Sequence, residues 1–111
     1  MGLKIRTNVA GDMCELVLTG EIDVNTAPAL RQELHDRIEG GCIDVIVNLD
    51  RVAFFDSSGL GVLIGALRRV RERDGSLRIV CRRQEVCRLF RIMGLDSVFA
   101  ISPDITESRW F

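Results

Sequence analysis

Two adjacent serines, Ser57 and Ser58, stand where a buried strand passes into an amphipathic helix, and their hydroxyl groups could do chemistry there. Upstream, a nearly continuous apolar run is typical of a parallel strand covered on both faces: Ile43, Val45, Ile46, Val47 and Leu49. Downstream, apolar residues recur at helical spacing: Leu60, Leu63, Ile64, Leu67 and Val70. A serine at a helix start can cap the first N–H groups, which also attract anions. A kinase could place such an anion on the hydroxyl itself, so the junction is a candidate phosphorylation site.

The residues around the serines indicate more than a helix cap. Three residues that can each cap a helix stand in a row, although one helix needs one cap: Asp56, Ser57 and Ser58. Three glycines then fall in the first turns of the helix, where each costs about 1 kcal/mol relative to alanine: Gly59, Gly61 and Gly65. On a helical projection Gly61 and Gly65 lie away from the apolar stripe and leave a flat strip without side chains. The strip suits close approach by another protein's backbone; tight packing on a neighbouring element of the same fold is the alternative.

A catalytic role for Ser57 lacks the residues that it needs. The hydrolase elbow has a glycine two residues before and two residues after its serine, but Phe55 occupies the upstream position. His35, the single histidine, falls among charged neighbours in a predicted helix, and a serine without a base is a poor nucleophile. Neither a GxxxxGK[ST] loop nor a GxGxxG fingerprint is present. We therefore predict that the protein is not an enzyme, and we expect neither a cofactor nor a metal site.

Size and charge exclude several other classes of protein. The 111 residues, 47% of them hydrophobic, predict one domain spanning residues 1–111 with one core. Fifteen basic and sixteen acidic side chains nearly balance, which argues against nucleic acid or an anionic membrane as a partner. No segment has the length of a membrane-spanning helix, and residues 1–8 lack a signal-peptide pattern. We expect a cytoplasmic protein that is a monomer when free.

Four cysteines lie in or beside apolar runs: Cys14, Cys42, Cys81 and Cys87. None forms a Cys-x-x-Cys pair, and only His35 could add a nitrogen ligand for a metal. We therefore expect reduced thiols packed in the core, without a zinc site or a disulfide.

The pattern of apolar residues predicts an α/β fold with a small, mostly parallel central sheet, an antiparallel N-terminal edge hairpin and flanking helices. The short turn at residues 10–12 makes the first strand pair antiparallel. Thr26 is the predicted N-cap of the first helix. Residues 20–25 and 50–56 are predicted connectors. Strands are predicted at residues 3–9, 14–19, 43–49, 77–81 and 98–101, and helices at residues 27–38, 57–73 and 86–93.

The chain resembles a STAS domain of the bacterial anti-sigma factor antagonist type. Three segments in order carry the resemblance: LTGEIDVNTAPALRQEL (residues 18–34), VIVNLDRVAFFDSSGLGVLIGALRRVRERDGSLRIVC (residues 45–81) and LFRIMGLDSVFAI (residues 89–101). Together they cover nearly the whole chain. The segment with the serines and the following glycines is specific for the family, whereas the first and last segments alone are weak.

The resemblance implies a partner switch. Unphosphorylated proteins of this type bind an anti-sigma factor that is also a serine kinase with a histidine-kinase-like ATPase fold, and this binding releases a sigma factor. The kinase phosphorylates the serine after the aspartate, here Ser57, and phosphorylation abolishes binding. A metal-dependent serine phosphatase of the 2C type reverses the modification. Ser58 occupies the Ser/Thr position before the glycine and is not the expected acceptor.

The resemblance also implies partner contacts outside the serine pair. Asp23 in the GEID loop and Asn48 at the predicted end of the third strand match positions near the acceptor. The expected partner-binding set is Asp23, Asn48, Asp56, Ser58, Gly59, Gly61 and Gly65. The alternative function is a STAS scaffold or a regulatory module of a stress-signalling or transport complex that is not switched through Ser57. The Trp110-Phe111 end is not a family hallmark; we expect it to pack against the fold, and a small docking element is the alternative.

Overall fold

The amino-terminal part of the chain is an antiparallel hairpin of β1 (Leu3–Ala10) and β2 (Met13–Ile22), seen in a computed structural model that describes residues 2–95 and 99–102. The turn between the strands is tight because Gly11 adopts a φ of 65°, a conformation that glycine reaches without a Cβ clash. Side chains of β1 alternate between half-buried and exposed through Thr7, as expected for an edge strand. The predicted hairpin is confirmed.

Three further strands extend the sheet from β2, and each runs parallel to its neighbour: β3 (Asp44–Phe55), β4 (Ser76–Val80) and β5 (Ala100–Ser102). Among the described residues, the strands lie side by side in chain order, β1-β2-β3-β4-β5. Helices make the crossovers between them: α1 (Ala27–Glu39), α2 (Ser57–Arg71) and α3 (Gln84–Ile92). The predicted α/β fold, with its mostly parallel sheet and flanking helices, is confirmed.

One core joins the helices to the sheet. Alternate residues of the central strands supply its sheet side: Cys14, Leu16, Leu18, Val45, Val47, Leu49, Leu77 and Ile79. The helices supply the predicted stripes, with Ala27, Leu30, Leu34 and Ile38 from α1 and Leu60, Leu63, Leu67 and Val70 from α2. Ile64, the remaining residue of the predicted α2 stripe, is half-buried against the core. On α3, Phe90 is fully buried and stacks on Phe55 with 5.7 Å between ring centroids. The last residue of β3 is therefore held by α3.

The strands that precede α1 and α2 are longer than predicted. Residues 20–25 and 50–56 were expected as connectors, but β2 continues to Ile22 and β3 to Phe55. The pairing of these strands shifts register at two places: between Val17 and Thr19, and between Gly20 and Glu21. Bulges of this kind interrupt the alternation of apolar and polar residues, so the pattern no longer indicates a strand.

The expectation of four reduced cysteines is wrong for one pair. Cys14 of β2 and Cys42, just before β3, form a disulfide with 6.1 Å between their Cα atoms. β2 and β3 are neighbouring parallel strands, so Cys42 lies near the beginning of β2 despite a sequence separation of 28. Cys81 and Cys87 remain free thiols, as predicted.

Further contacts fasten the edge of the sheet that carries this disulfide. We call it the amino rim: the first residues of β2, β3 and β4, the last turns of α1 and α2, and the segments that join these helices to β3 and β4. Arg73 donates to the carbonyl of Ile38 at 2.9 Å and to the carboxylate of Glu39 at 2.8 Å. These Arg73 contacts lower the pKa of Glu39. At Gly75 a Cβ would overlap the Ile43 carbonyl, so only glycine fits.

Two predictions concern the remaining parts of the chain. The strand predicted over residues 98–101 is found as β5, while the Trp110-Phe111 end lies outside the described residues. Within residues 2–95 and 99–102, no helix combines the length and the apolar character that crossing a lipid bilayer requires.

Candidate functional site

Ser57 is the first residue of α2 and its side chain is exposed. Asp56 occupies the N-cap position: its carboxylate accepts a hydrogen bond from the Ser58 N–H at 2.8 Å. The Asp56 carbonyl also accepts from the N–H groups of Gly59 and Leu60. Capping is thus done by the aspartate, and in the described part of the chain no hydrogen-bond partner engages the Ser57 hydroxyl. The hydroxyl is available to a kinase.

The loop between β2 and α1 lies beside this junction. The Asp56 N–H donates to the Ile22 carbonyl at 3.3 Å, which joins the end of β2 to the beginning of α2. Asp23 follows Ile22, and its carboxylate accepts from the N–H groups of Asn25 and Thr26 at 2.9 and 3.1 Å. The structure therefore brings Asp23 to the same edge of the sheet as Ser57. We call this edge the carboxyl rim: Ile22 to Thr26, Phe54 to Asp56, and the first turn of α2.

Thr26 occupies the predicted N-cap position of α1 but does not cap the helix with its side chain. Its hydroxyl donates to the Glu21 carbonyl at 2.8 Å and accepts from the Asp23 N–H at 2.9 Å. These bonds close the loop on itself and fix the direction of the Asp23 side chain. Thr26 is a positioning residue of the carboxyl rim that the sequence indicated only as a cap.

The three glycines of α2 differ in their surroundings. Gly59 is buried, and a Cβ there would come within 2.7 Å of both Ile22 and Phe55. Packing explains this glycine, and its role as a partner contact stays a prediction. Gly61 and Gly65 are exposed, with nothing within 4 Å of an added Cβ. The predicted flat strip is confirmed, and the alternative of tight packing on a neighbouring element is excluded at these two positions.

The strip forms one wall of a shallow groove between α1 and α2. Arg31, His35 and Arg69 line the groove with the two glycines. His35 is half-buried there, on the opposite wall from the helix that carries Ser57. No described base hydrogen bonds to Ser57, so the hydroxyl lacks the activation that a nucleophilic serine requires.

Asn48 lies away from this site. It is in the middle of β3, where its side chain accepts from the Asp50 N–H at 3.0 Å. Roughly 20 Å of strand separates it from Phe55, because β3 continues past the predicted end at Leu49. Its predicted place at the end of the strand is therefore wrong, and its role in partner binding stays a prediction.

The sequence did not predict that two apolar residues of the carboxyl rim are exposed. Val24 is 71% exposed and Phe54 is 50% exposed, and they flank the loop and the strand end next to Ser57. Both side chains present apolar surface to solvent on the rim that carries Ser57. No signal in the sequence separates Phe54 from its buried neighbour Phe55, because the bulges in β3 decide which of them faces the core.

The described residues hold no cluster of three or more His, Cys, Asp or Glu side chains suited to a metal ion. The arrangement offers an exposed hydroxyl at a helix start, a strip without side chains and two exposed apolar groups. Such a surface can be modified and can dock a protein.

Comparisons with known proteins identify the family and the fold. Residues 4–108 match the family model described as STAS domain. An anti-sigma-B factor antagonist of Staphylococcus aureus is 34% identical over 102 residues, which are 92% of this chain and 94% of that protein. The crystal structure of an anti-sigma factor antagonist from Mycobacterium paratuberculosis has a TM-score of 0.87 at 24% identity, covering 96% of this chain and 90% of that one. The phosphorylated form of the Bacillus cell fate determinant SpoIIAA has a TM-score of 0.72 at 22% identity, covering 89% and 91%. The predicted resemblance is confirmed.

Proposed function

We propose that this chain, which belongs to the STAS domain family, is an anti-sigma factor antagonist whose binding is switched off by phosphorylation of Ser57. The observation that carries the proposal is the exposed Ser57 hydroxyl at the start of a helix that Asp56 already caps. Proteins named as anti-sigma factor antagonists are regulators, and membership of their family confirms that the chain is not an enzyme.

The position of Ser57 explains how a phosphate would act. It adds about −1.5 to −2 charges next to the Asp56 carboxylate. The amino-terminal end of a helix stabilises a nearby anion by about 0.3–1 kcal/mol. Here, however, Asp56 already accepts hydrogen bonds from the N–H groups of Ser58, Gly59 and Leu60. The phosphate therefore finds few free donors within the fold and stays directed toward solvent. We expect the fold to persist and the added charge to act on whatever binds the carboxyl rim.

The partner contacts of the proposal follow the described surface. Val24 and Phe54 supply exposed apolar area, and Gly61 and Gly65 let a partner backbone approach α2. A partner that covers Ser57 can pair with the neutral hydroxyl through one hydrogen bond, whereas a covered phosphate without a counter-charge costs on the order of 2–5 kcal/mol. This difference corresponds to a loss of affinity of tens- to thousands-fold.

The proposed partners are those of the switch. The unphosphorylated chain binds an anti-sigma factor that is a serine kinase with a histidine-kinase-like ATPase fold, and a sigma factor is released. A metal-dependent serine phosphatase of the 2C type restores the binding form. Neither nucleic acid nor membrane takes part, in accord with the net charge of −1. The protein acts in the cytoplasm and is a monomer when free.

The test is the affinity for a host kinase of this class, measured by titration calorimetry with variants of the full chain. Ser57→Asp is expected to bind tens- to thousands-fold more weakly than wild type, while Ser57→Ala binds as wild type does. Asn8→Asp is the matched control, since it adds one exposed negative charge on β1, outside the carboxyl rim. With ATP, phosphate is expected on Ser57 of wild type and of Ser58→Ala, and on neither serine of Ser57→Ala.

Melting curves of the same variants separate the interface effect from unfolding. A Ser57→Asp variant that melts with wild type but does not bind supports the proposal. Equal binding of all variants would leave a scaffold that is not switched through Ser57, and a collapsed Ser57→Asp variant would contradict the interface mechanism.

A further inference from the structure

The two free cysteines meet where β4 passes into α3. Cys81 follows the last residue of β4, and Cys87 lies in the first turns of α3. Their sulfur atoms are 3.0 Å apart, and the Cys87 thiol also faces the Cys81 carbonyl at 3.5 Å. A disulfide bond is about 2.05 Å long, so a displacement of about 1 Å converts this contact into a covalent bond. Cys81 and Cys87 are therefore close enough to react with each other as a dithiol.

We propose that Cys81 and Cys87 are a dithiol modification site, which a small-molecule disulfide of the glutathione type oxidises to an intramolecular disulfide. The two sulfur atoms differ in access, and this difference sets the order of a stepwise thiol–disulfide exchange. Cys81 is buried with 4% of its surface exposed, whereas Cys87 is half-buried. The incoming disulfide therefore reaches Cys87 first, and Cys81 is shielded until Cys87 has reacted.

The reaction consists of two balanced exchanges. Cys87 attacks one sulfur of the small disulfide, a mixed disulfide forms on Cys87, and one small thiol leaves with the Cys87 proton. Cys81 then attacks the Cys87 sulfur, the protein disulfide forms, and the second small thiol leaves with the Cys81 proton. The protein loses two electrons and two protons, and the small disulfide is reduced to two thiols.

Burial agrees with this order of attack. Desolvation by burial raises the pKa of Cys81 to about 12, and the neighbouring Cys87 acts in the same direction. Cys81 is thus a protonated thiol at neutral pH and a poor first nucleophile. In the second step its contact with the Cys87 sulfur compensates, because an intramolecular attack from contact distance has a high effective concentration.

The site is separate from the disulfide of the amino rim. Cys14 is level with Val45 at the beginning of the parallel strands, whereas Cys81 follows Val80, which is level with Asn48. The two cysteine pairs therefore lie at different levels along the parallel strands. The helix that carries Cys87 also contacts the carboxyl rim, because Phe90 of α3 stacks on Phe55. The site does not depend on phosphorylation of Ser57.

The test is intact mass and peptide mapping of the full chain after incubation with excess oxidised glutathione. Wild type is expected to lose the mass of two hydrogen atoms, to link Cys81 to Cys87 and to retain no glutathione. Cys81→Ser is expected to keep one glutathione on Cys87, because the second step is removed. Cys87→Ser is expected to keep Cys81 as a free thiol, because Cys81 is buried.

Other outcomes overturn the proposal. They are a stable glutathione adduct on wild-type Cys87, two thiols that stay reduced, or a link between Cys81 and a cysteine of the amino rim. Phenylarsine oxide gives a second measurement that needs no variant, because it bridges two thiols without oxidising them. One arsenic atom bound across Cys81 and Cys87 of wild type supports the dithiol pair. Absence of bound arsenic contradicts it.

Discussion

The two rims of the sheet differ in how they are built. The amino rim is fastened by a disulfide between Cys14 and Cys42, by the Arg73 contacts to the end of α1, and by Gly75 packed on the Ile43 carbonyl. The carboxyl rim is held by bonds within its own loops and leaves Ser57 exposed. On the proposed function, the carboxyl rim must keep groups such as the Ser57 hydroxyl uncommitted, and the contacts of the opposite rim supply rigidity in its place.

The largest expected effect comes from breaking the disulfide of the amino rim. The bridge closes a chain segment with a sequence separation of 28, so its reduction is expected to lower the free energy of unfolding by roughly 3–4 kcal/mol. Urea unfolding with and without reductant measures the change. A Cys81→Ser/Cys87→Ser variant is the control and should lose the same amount. An unchanged unfolding midpoint would show that the bridge does not stabilise this rim.

A second comparison places one methyl group at each of two glycines. Gly75→Ala is expected to lower the free energy of unfolding by about 2–3 kcal/mol, because the new Cβ overlaps the Ile43 backbone. Gly61→Ala meets open space within a helix and is expected to raise it by about 0.5–1 kcal/mol. Denaturant midpoints of the two variants measure the contrast. Equal effects of the two substitutions would contradict the assignment of Gly75 to close packing and of Gly61 to an open surface.

The division of roles between Asp56 and Ser57 gives a smaller effect. Asp56→Ala removes the cap on the Ser58 N–H and is expected to cost about 1 kcal/mol of folding free energy. Ser57→Ala is expected to change it by less than about 0.5 kcal/mol, since its hydroxyl has no described partner. Thermal melting of both variants tests the assignment. If Ser57→Ala costs as much as Asp56→Ala, the serine is the cap and is not free for modification.

The smallest effect concerns a hydrogen bond between β1 and α1, at a level between the two rims. The Thr7 hydroxyl of β1 donates to the Glu33 carboxylate of α1 at 2.6 Å, and this bond, with a smaller contribution from Arg37, lowers the pKa of Glu33. A lowered carboxyl pKa contributes stability above the ordinary glutamate pKa of about 4.3, and the contribution is lost as the pH falls through the lowered value. Thr7→Val is therefore expected to cost about 0.5–1 kcal/mol at neutral pH and less in acid.

Unfolding free energies of Thr7→Val at neutral and acidic pH measure this dependence. A Glu33→Gln background is the control, because without the carboxylate the cost of Thr7→Val should no longer vary with pH. A cost that is the same at both pH values in the wild-type background would show that the bond does not act through the Glu33 charge.

Local pattern was sufficient to predict most of the fold. Helical spacing in α1 and α2 gave the buried stripes, and the short turn around Gly11 gave the antiparallel hairpin, because both depend on neighbours in sequence. The bulges between β2 and β3 could not be predicted, since they depend on pairing with a strand far along the chain. For this reason the end of β3 and the position of Asn48 were wrong.

The sequence by itself determined the order of strands and helices, the junction at Ser57 and the strip at Gly61 and Gly65. These features are local, and the types and spacing of adjacent residues are enough to set them. Only the tertiary structure decided which of three possible residues caps α2, that Phe54 is exposed beside it, and that four cysteines divide into a bonded pair and a thiol pair. Contacts between residues distant in sequence exist only after the strands have aligned, and sequence spacing does not record that alignment.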